Sequence, residues 1–187
     1  KIFHTVGSLK GNKIAIMGPS GGDMAMLGDI SEGLAINYSP IPKKIIKNLK
    51  KVNHKGVIIS NPFDLQTYNW NDPVSLKKTF DLIFKANFNL VGLMLDFPNI
   101  NECDIAEWEA IVDKFLLSAR EKNTFAVIIA SLPETLPKHI RNKCLKSGVV
   151  PLQGLKESLY AIHSSILTGQ AWSKYNKLKV YKSNNKT

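Results

Sequence analysis

Cysteine and arginine are scarce in this sequence, and long apolar runs are missing. Its two cysteines, Cys103 and Cys144, stand far apart without C-x-x-C spacing, so neither a disulfide framework nor a cysteine metal knuckle is encoded. Such usage fits a reducing cytoplasm. No apolar stretch reaches the ~18 residues that a membrane-crossing helix needs. The longest runs, 88–97 and 125–132, are of buried-strand length. The chain opens on Lys1, and its first residues lack an apolar stretch followed by a small-residue cleavage site, so the expectation is an excised piece without a signal peptide.

The formal charge of +10 invites a nucleic-acid reading, because clustered cations displace counterions from phosphate backbones. Only Arg120 and Arg141 are arginines, however, and base-reading interfaces favour the bidentate guanidinium fork. Lys43, Lys44, Lys47, Lys50 and Lys51 fall on one side of a short helix, where a solvated face accounts for them. Neither nucleic acid nor membrane is an expected partner. His4, His54, His139 and His163 show no H-x-H or H-E-x-x-H spacing, so no metal site is expected. Trp70, Trp108 and Trp172 are too scattered along the chain for a base-stacking platform.

With 44% hydrophobic residues in 187, the chain can bury one good core but not two ordinary domains and a linker. Apolar runs alternate with segments of helical periodicity, the mark of a parallel sheet covered on both faces. Strands are expected over 14–17, 35–38, 56–60, 90–95, 125–130 and 148–152. Helices are expected over 24–34, 41–49, 73–84, 104–120, 134–146 and 155–167. Gly33 marks the end of the first helix, and Asp72 with Pro73 reads as an N-cap followed by proline at the first helical position. Residues 1–12 are an approach segment from a preceding domain and 13–168 the folded domain. After Thr168 the composition turns to Lys, Asn, Ser and Tyr, so 169–187 is expected to be a linker or tail.

In a doubly wound sheet the ligand crevice lies outside the carboxyl ends of the strands, where strand order reverses, so the loops there hold the candidates. Gly18-Pro19-Ser20-Gly21-Gly22-Asp23 lets backbone N–H groups approach an anion at a helix N-terminus. It is neither a P-loop nor a G-x-G-x-x-G dinucleotide fingerprint, and a tight turn needing glycine accounts for it equally well. Nor is it a G-x-S-x-G elbow, and no Asp-then-His order completes a triad, so no catalytic residue is assigned within the chain. Asn61-Pro62-Phe63-Asp64 ends the third expected strand, where Asn61 and Asp64 either order a turn or line the crevice. Asp96-Phe97-Pro98 ends the fourth, and Asp96 there binds metal, tunes a proton transfer or caps an amide, of which capping is commonest. Ser131-Leu132-Pro133-Glu134 is the last such loop, with Glu134 in the first turn of its helix.

Taken in order, Gly11-Asn12-Lys13-Ile14-Ala15-Ile16, Ser20-Gly21-Gly22-Asp23, Asn61-Pro62-Phe63-Asp64, Leu95-Asp96-Phe97-Pro98 and Leu132-Pro133-Glu134 resemble the ADP-forming acyl-CoA synthetases over nearly the whole chain. Within them the chain is similar to the succinyl-CoA-synthetase-like flavodoxin domain, in the feruloyl-CoA or pimeloyl-CoA synthetase branch. The resemblance implies a flavodoxin-like three-layer α/β/α sandwich around a central, mainly parallel sheet of five or six strands. It also implies a role in acid + CoA + ATP to acyl-CoA + ADP + phosphate, through an acyl phosphate and a phosphohistidine carried on another domain. Ser20, Gly21 and Gly22 match the turn facing the phosphorylated group, while Asn61, Asp64 and Asp96 would line that site.

The implied partners are CoA-binding, phosphohistidine-bearing and ATP-grasp domains of one enzyme and a carboxylic acid substrate. ATP, Mg2+ and CoA serve the whole enzyme, with no cofactor bound by this chain alone, which is expected to be inactive in isolation. His4-Thr5-Val6-Gly7 departs from the family's Ser-His-Thr-Gly-like loop, so the phosphohistidine role does not pass to His4. A regulatory or binding module, and a flavin-binding protein of the same fold, stay open as alternatives. Against flavin, the first turn has one serine and no threonine.

Overall fold

A computed structural model describes residues 1–122 and 124–184, with side chains as far as residue 175. The apolar runs become strands because each is buried at every position: β1 (Ile14–Gly18), β3 (Leu90–Met94) and β4 (Ala126–Ala130) expose no side chain to water. With β2 (Phe63–Asp64) and β5 (Val150–Gln153) they form one sheet in the order β2-β1-β3-β4-β5. Every pairing is parallel, in registers such as Met17 with Phe63, Ile14 with Leu90, Val91 with Ala126 and Val127 with Val150. That order reverses between β1 and β3, as in flavodoxin-like and Rossmann-like sheets.

Alternation along the strands sorts side chains into two cores. Ala15, Met17, Val91, Leu93, Ala126 and Ile128 face one layer, formed by α3 (Lys43–Val52), α4 (Pro73–Phe84), α5 (Ala106–Lys122) and α6 (Lys138–Lys146). Phe115 sits at its centre, edge-on to Phe80 at 5.4 Å between ring centroids. Ile14, Ile16, Leu90, Val127 and Ile129 face the other layer, made by α1 (Ile2–Thr5), α2 (Gly21–Ile30) and α7 (Leu155–Asn184). Asp72 caps α4 as its sequence suggests, its carboxylate accepting from the Val74 and Ser75 amides at 3.1 and 3.0 Å. Trp70 and Trp108, far apart in sequence, meet edge-to-face at 5.0 Å and pack against the first core.

The sheet is smaller on its β2 side than expected. The strand anticipated at 35–38 contributes one parallel bridge, Asn37 to Lys13. Residues 56–60 form no strand at all, and pairing starts only at Phe63. The intervening edge of β1 is covered by a side chain. The Asn61 amide donates to the Ile14 carbonyl at 2.8 Å and to the Ser39 carbonyl at 2.9 Å, while its Oδ1 accepts from the Ile16 amide at 3.3 Å. Asn61 thus occupies the place of a ladder residue. Elsewhere, 133–135 is a 3-10 turn that includes Glu134, and α6 begins only after Pro137. α7 continues well past Thr168, to Asn184. The last three residues of the expected tail lie outside the described residues.

α7 is held against the segment that precedes β1 by a close backbone approach. The Leu9 amide donates to both the carbonyl and the hydroxyl of Ser165, at 3.3 and 3.2 Å. One turn on, a Cβ at Gly169 would lie 1.8 Å from the Leu9 carbonyl oxygen. Gly169→Ala is therefore expected to lower stability by roughly 2–3 kcal/mol in chemical denaturation, since the clash outweighs the gain in helix propensity. Gly28→Ala in α2, where a Cβ meets nothing within 4 Å, should instead stabilise by ~0.5–1 kcal/mol. Asn61→Ala leaves the Ile14 and Ile16 backbone groups unpaired, and the same titration should show a loss of about 2–3 kcal/mol.

Candidate functional site at the carboxyl mouth of the sheet

β1 ends in Gly18, where a Cβ would come 2.7 Å from Met24 Cε and 3.0 Å from the Met94 carbonyl. Glycine lets the chain pass this closely over β3 into α2 without displacing Met24 or the Met94 carbonyl. Ser20 then caps the helix: its hydroxyl accepts from the Asp23 amide at 3.3 Å, and its carbonyl accepts from the Met24 amide at 3.1 Å. The amides of Gly21 and Gly22, in the first turn, have no protein acceptor among the described residues. Both glycines are exposed, so this positive helix end opens to solvent.

Asp64, at the end of β2, is aimed at the same point. The Leu65 amide donates to the Gly18 carbonyl at 2.7 Å, fixing the turn. Asp64 Oδ1 accepts from the Gln66 amide at 2.8 Å, with Gln66 at φ 51°. Its Oδ2 stands 3.0 Å from the position that a Cβ on Gly21 would take. Asp96, after β3, serves as a cap: its Oδ1 accepts from the Ser131 amide at 2.8 Å and from the Thr135 hydroxyl. Its carbonyl accepts from the Trp108 indole at 3.0 Å, and the Phe97 amide donates to the Thr135 carbonyl at 2.8 Å. These bonds tie the β3 and β4 loops together. Beside them lies a cavity of about 400 Å³ lined by Phe97, Asn99, Ile100, Glu134 and Pro137.

The topology therefore brings Ser20, Gly21, Gly22 and Asp64 to one place and sets Asp96 across from them, while the Asn61 amide turns back into the sheet. It adds one residue that sequence reasoning did not single out. Asp23 lies in the first turn of α2, and burial holds its carboxyl above the ordinary carboxylate range. The charges of Asp96 and Asp64 push the same way, and a hydrogen bond from Ser20 offsets part of the rise. Its signal in the sequence was the Ser20-x-x-Asp23 capping spacing. Three carboxylates from three strand ends thus share the mouth with two open amides.

The remaining candidates point elsewhere. His54 stacks on Tyr68 at 4.3 Å, His139 pairs with Glu109 at 2.8 Å, and His163 Nδ1 accepts from the Ala35 amide at 2.9 Å. Burial pushes the Cys144 thiol up to about 12, making it a packing residue. No cluster of His, Cys, Asp or Glu among the described residues could hold a metal ion. Asp64 and Asp96 each give one oxygen, Oδ1, to a backbone amide. Among the described residues no helix is long and apolar enough to cross a membrane.

No protein-family model matches the sequence, and no curated protein does. Solved structures do share its fold. PH0766 from Pyrococcus horikoshii OT3 superposes with a TM-score of 0.69 at 15% identity, over 85% of this chain and 36% of that one. The dinucleotide forming acetyl-coenzyme A synthetase 1 of Ca. Korarchaeum cryptofilum superposes in its apo form and in complex with phosphate and ADP. Each gives a TM-score of 0.67 at 14% identity, over 92% of this chain and 36% of that one. The chain spans about a third of the length of these structures, and the likeness is one of fold.

A carboxyl whose pKa is raised in the folded state binds its proton more tightly there than in the unfolded chain. Its presence therefore costs stability as pH rises from the ordinary carboxylate value of 3.8 through the raised folded value. Asp23→Asn, which keeps the Ser20 cap, is expected to raise the melting temperature at pH 7. The gain should shrink to nothing as the pH falls below the ordinary carboxylate range. Thermal melts of both proteins across that range read the effect, and a gain that grows toward low pH contradicts the assignment.

Proposed function

We propose that this chain is a domain of a nucleoside-diphosphate-forming acyl-CoA synthetase, and that its Ser20-Gly21-Gly22 turn receives a phosphoryl group in transit. The overall reaction would convert acid, CoA and ATP to acyl-CoA, ADP and phosphate through an acyl phosphate. The phosphoryl carrier would be a histidine on a neighbouring domain, and ATP with its Mg2+ would be handled on an ATP-grasp domain. The observation that carries this reading is the pair of open amides on Gly21 and Gly22 at the switch point of the sheet, where a helix end carries roughly half a positive charge. Fold likeness to an acetyl-coenzyme A synthetase solved with phosphate and ADP supports it.

The carboxylates of the mouth fit the same assignment. A free phosphate would meet repulsion from Asp23, Asp64 and Asp96. A phosphorylated imidazole is a different object, because it has an anionic end and, once its second ring nitrogen is protonated, a cationic ring N–H. Its phosphoryl oxygens would take the Gly21 and Gly22 amides, and its ring would find an acceptor in a carboxylate such as Asp64 Oδ2. The proposed chemistry of this chain is thus positioning and charge stabilisation, with bond-making residues supplied by other domains. The resemblance to the feruloyl-CoA and pimeloyl-CoA branch suggests feruloyl-type or other carboxylic acids as substrates.

In the complete enzyme, Gly21→Val would set its side chain against Asp64 Oδ2, 3.0 Å from the new Cβ. Valine keeps its amide, but the crowded side chain shifts the turn and obstructs approach to it; misplacing one preorganised donor costs ~3 kcal/mol, so phosphoryl transfer should slow by a factor of about 100. CoA affinity should be unchanged. Rapid-quench measurement of phosphoenzyme formation, with CoA binding by calorimetry, separates the two. Unaltered phosphoenzyme kinetics would refute the assignment.

A further inference from the structure

The chain has a second polarised surface, on the side of the sheet opposite in charge to the mouth. From residue 33 to residue 63 there is no aspartate or glutamate, while Lys43, Lys44, Lys47, Lys50, Lys51 and Lys55 all fall within that span. The five lysines of α3 are exposed, and none of the six forms an ion pair among the described residues. Helix and lysines frame residues 57–60, which lead into β2, the outermost strand of the sheet.

Those residues have the burial pattern of a strand without its ladder. Val57 and Ile59 pack into the first core, whereas Ile58 and Ser60 face out. The Val57 amide donates to the His54 carbonyl at 3.0 Å, but the amides of residues 58–60 find no backbone acceptor among the described residues. Ile58 is 77% exposed, and Tyr68, stacked on His54, is 58% exposed. Ile46, Lys50, His54, Lys55 and Ile58 line a cavity of about 520 Å³ along this edge. Unpaired backbone, an outward isoleucine and an adjacent cavity with both apolar and cationic walls are the elements by which a sheet edge accepts a further strand.

We propose that residues 57–60, with α3, form a docking edge for an extended acidic segment of a partner protein. Its backbone would pair with residues 58–60, an apolar side chain would enter the cavity beside Ile58, and its flanking carboxylates would meet Lys50 and Lys55. Charge selects this occupant. A second copy of this chain would bring the same lysines to the same edge and be repelled, as lysine-guarded edges repel their own kind. The inference is independent of the proposed acyl-CoA synthetase role.

The test uses the full 187-residue chain and a labelled peptide of alternating glutamate and valine, read by fluorescence anisotropy. Saturable binding that weakens with salt is expected. Methylating alternate peptide amides, or making Ile58→Asp or the pair Lys50→Glu and Lys55→Glu, should each weaken it by ~10-fold or more. Because Ile58 is exposed, unchanged thermal melts will confirm that the variants fold. The proposal is overturned if the alternating peptide does not bind, if a proline-interrupted acidic peptide of equal charge binds as tightly, or if Ile58→Asp binds like the parent. Displacement of the peptide by ATP, or self-association of the chain through this edge in sedimentation, overturns it as well.

Discussion

β1 lies between two neighbours of unequal length. On one side β3 matches it residue for residue, from Ile14 with Leu90 to Met17 with Leu93. On the other side no strand runs alongside until Phe63, and a buried parallel strand cannot leave its amides and carbonyls unpaired without a cost of ~1–3 kcal/mol each. The Asn61 side chain resolves this by giving one acceptor and two donor contacts to Ile16, Ile14 and Ser39. Because the amide is spent on β1, the chain on either side is committed. Before it, residues 57–60 make no ladder with β1. After it, Phe63 and Asp64 enter the sheet and bring the Asp64 carboxylate over Gly21. The mouth and the open edge are two consequences of the same contact.

At the mouth, opposite electrostatic features are held within a few ångströms. The helix end of α2 favours negative charge, yet Asp23 in its first turn is pushed toward its neutral form by burial and by two neighbouring carboxylates. Asp96 is satisfied by the β4 loop and cannot turn away without releasing the Ser131 amide and the Thr135 hydroxyl. Asp64 is similarly fixed by Gln66. The site is therefore preorganised by bonds that point outward from it, which is how a surface spends little reorganisation when a charged group arrives.

Much of the fold was legible because its centre is a regular pattern. The runs at 90–94 and 126–130 are apolar at every position and could only be buried strands or buried helix segments, and their length decided for strands. Asp72 with Pro73 placed the start of α4 to the residue. The outer part of the sheet was misread for a physical reason. Gly56-Val57-Ile58-Ile59-Ser60 has strand composition, but composition records burial of Val57 and Ile59, not hydrogen-bond partners, and the ladder position had gone to Asn61. In the mouth, each of Ser20, Gly21, Gly22, Asp64 and Asp96 was legible from its place at a strand's carboxyl end. Their convergence with Asp23 was not, because it depends on the strand order β2-β1-β3, which periodicity does not encode. The length of α7 was hidden for another reason: past Thr168 the sequence loses its apolar stripe, while the backbone remains helical.

The charge of the chain is better understood as a separation than as a sum. A net +10 suggests a protein that attracts anions anywhere, but the lysines of α3 border the β2 edge, while the mouth presents Asp23, Asp64 and Asp96. At physiological ionic strength the Debye length is about 8 Å, so charges on separate surfaces contribute little to one another and each surface recognises its ligand by its own local field. For the mouth this means that the excess of lysine elsewhere does not help to bind a phosphoryl group. Any anion held there must be held by the Gly21 and Gly22 amides at contact distance, against the nearby carboxylates. On the proposed reading, a group bonded to a carrier whose protonated ring satisfies one of those carboxylates would meet that requirement better than a freely diffusing phosphate.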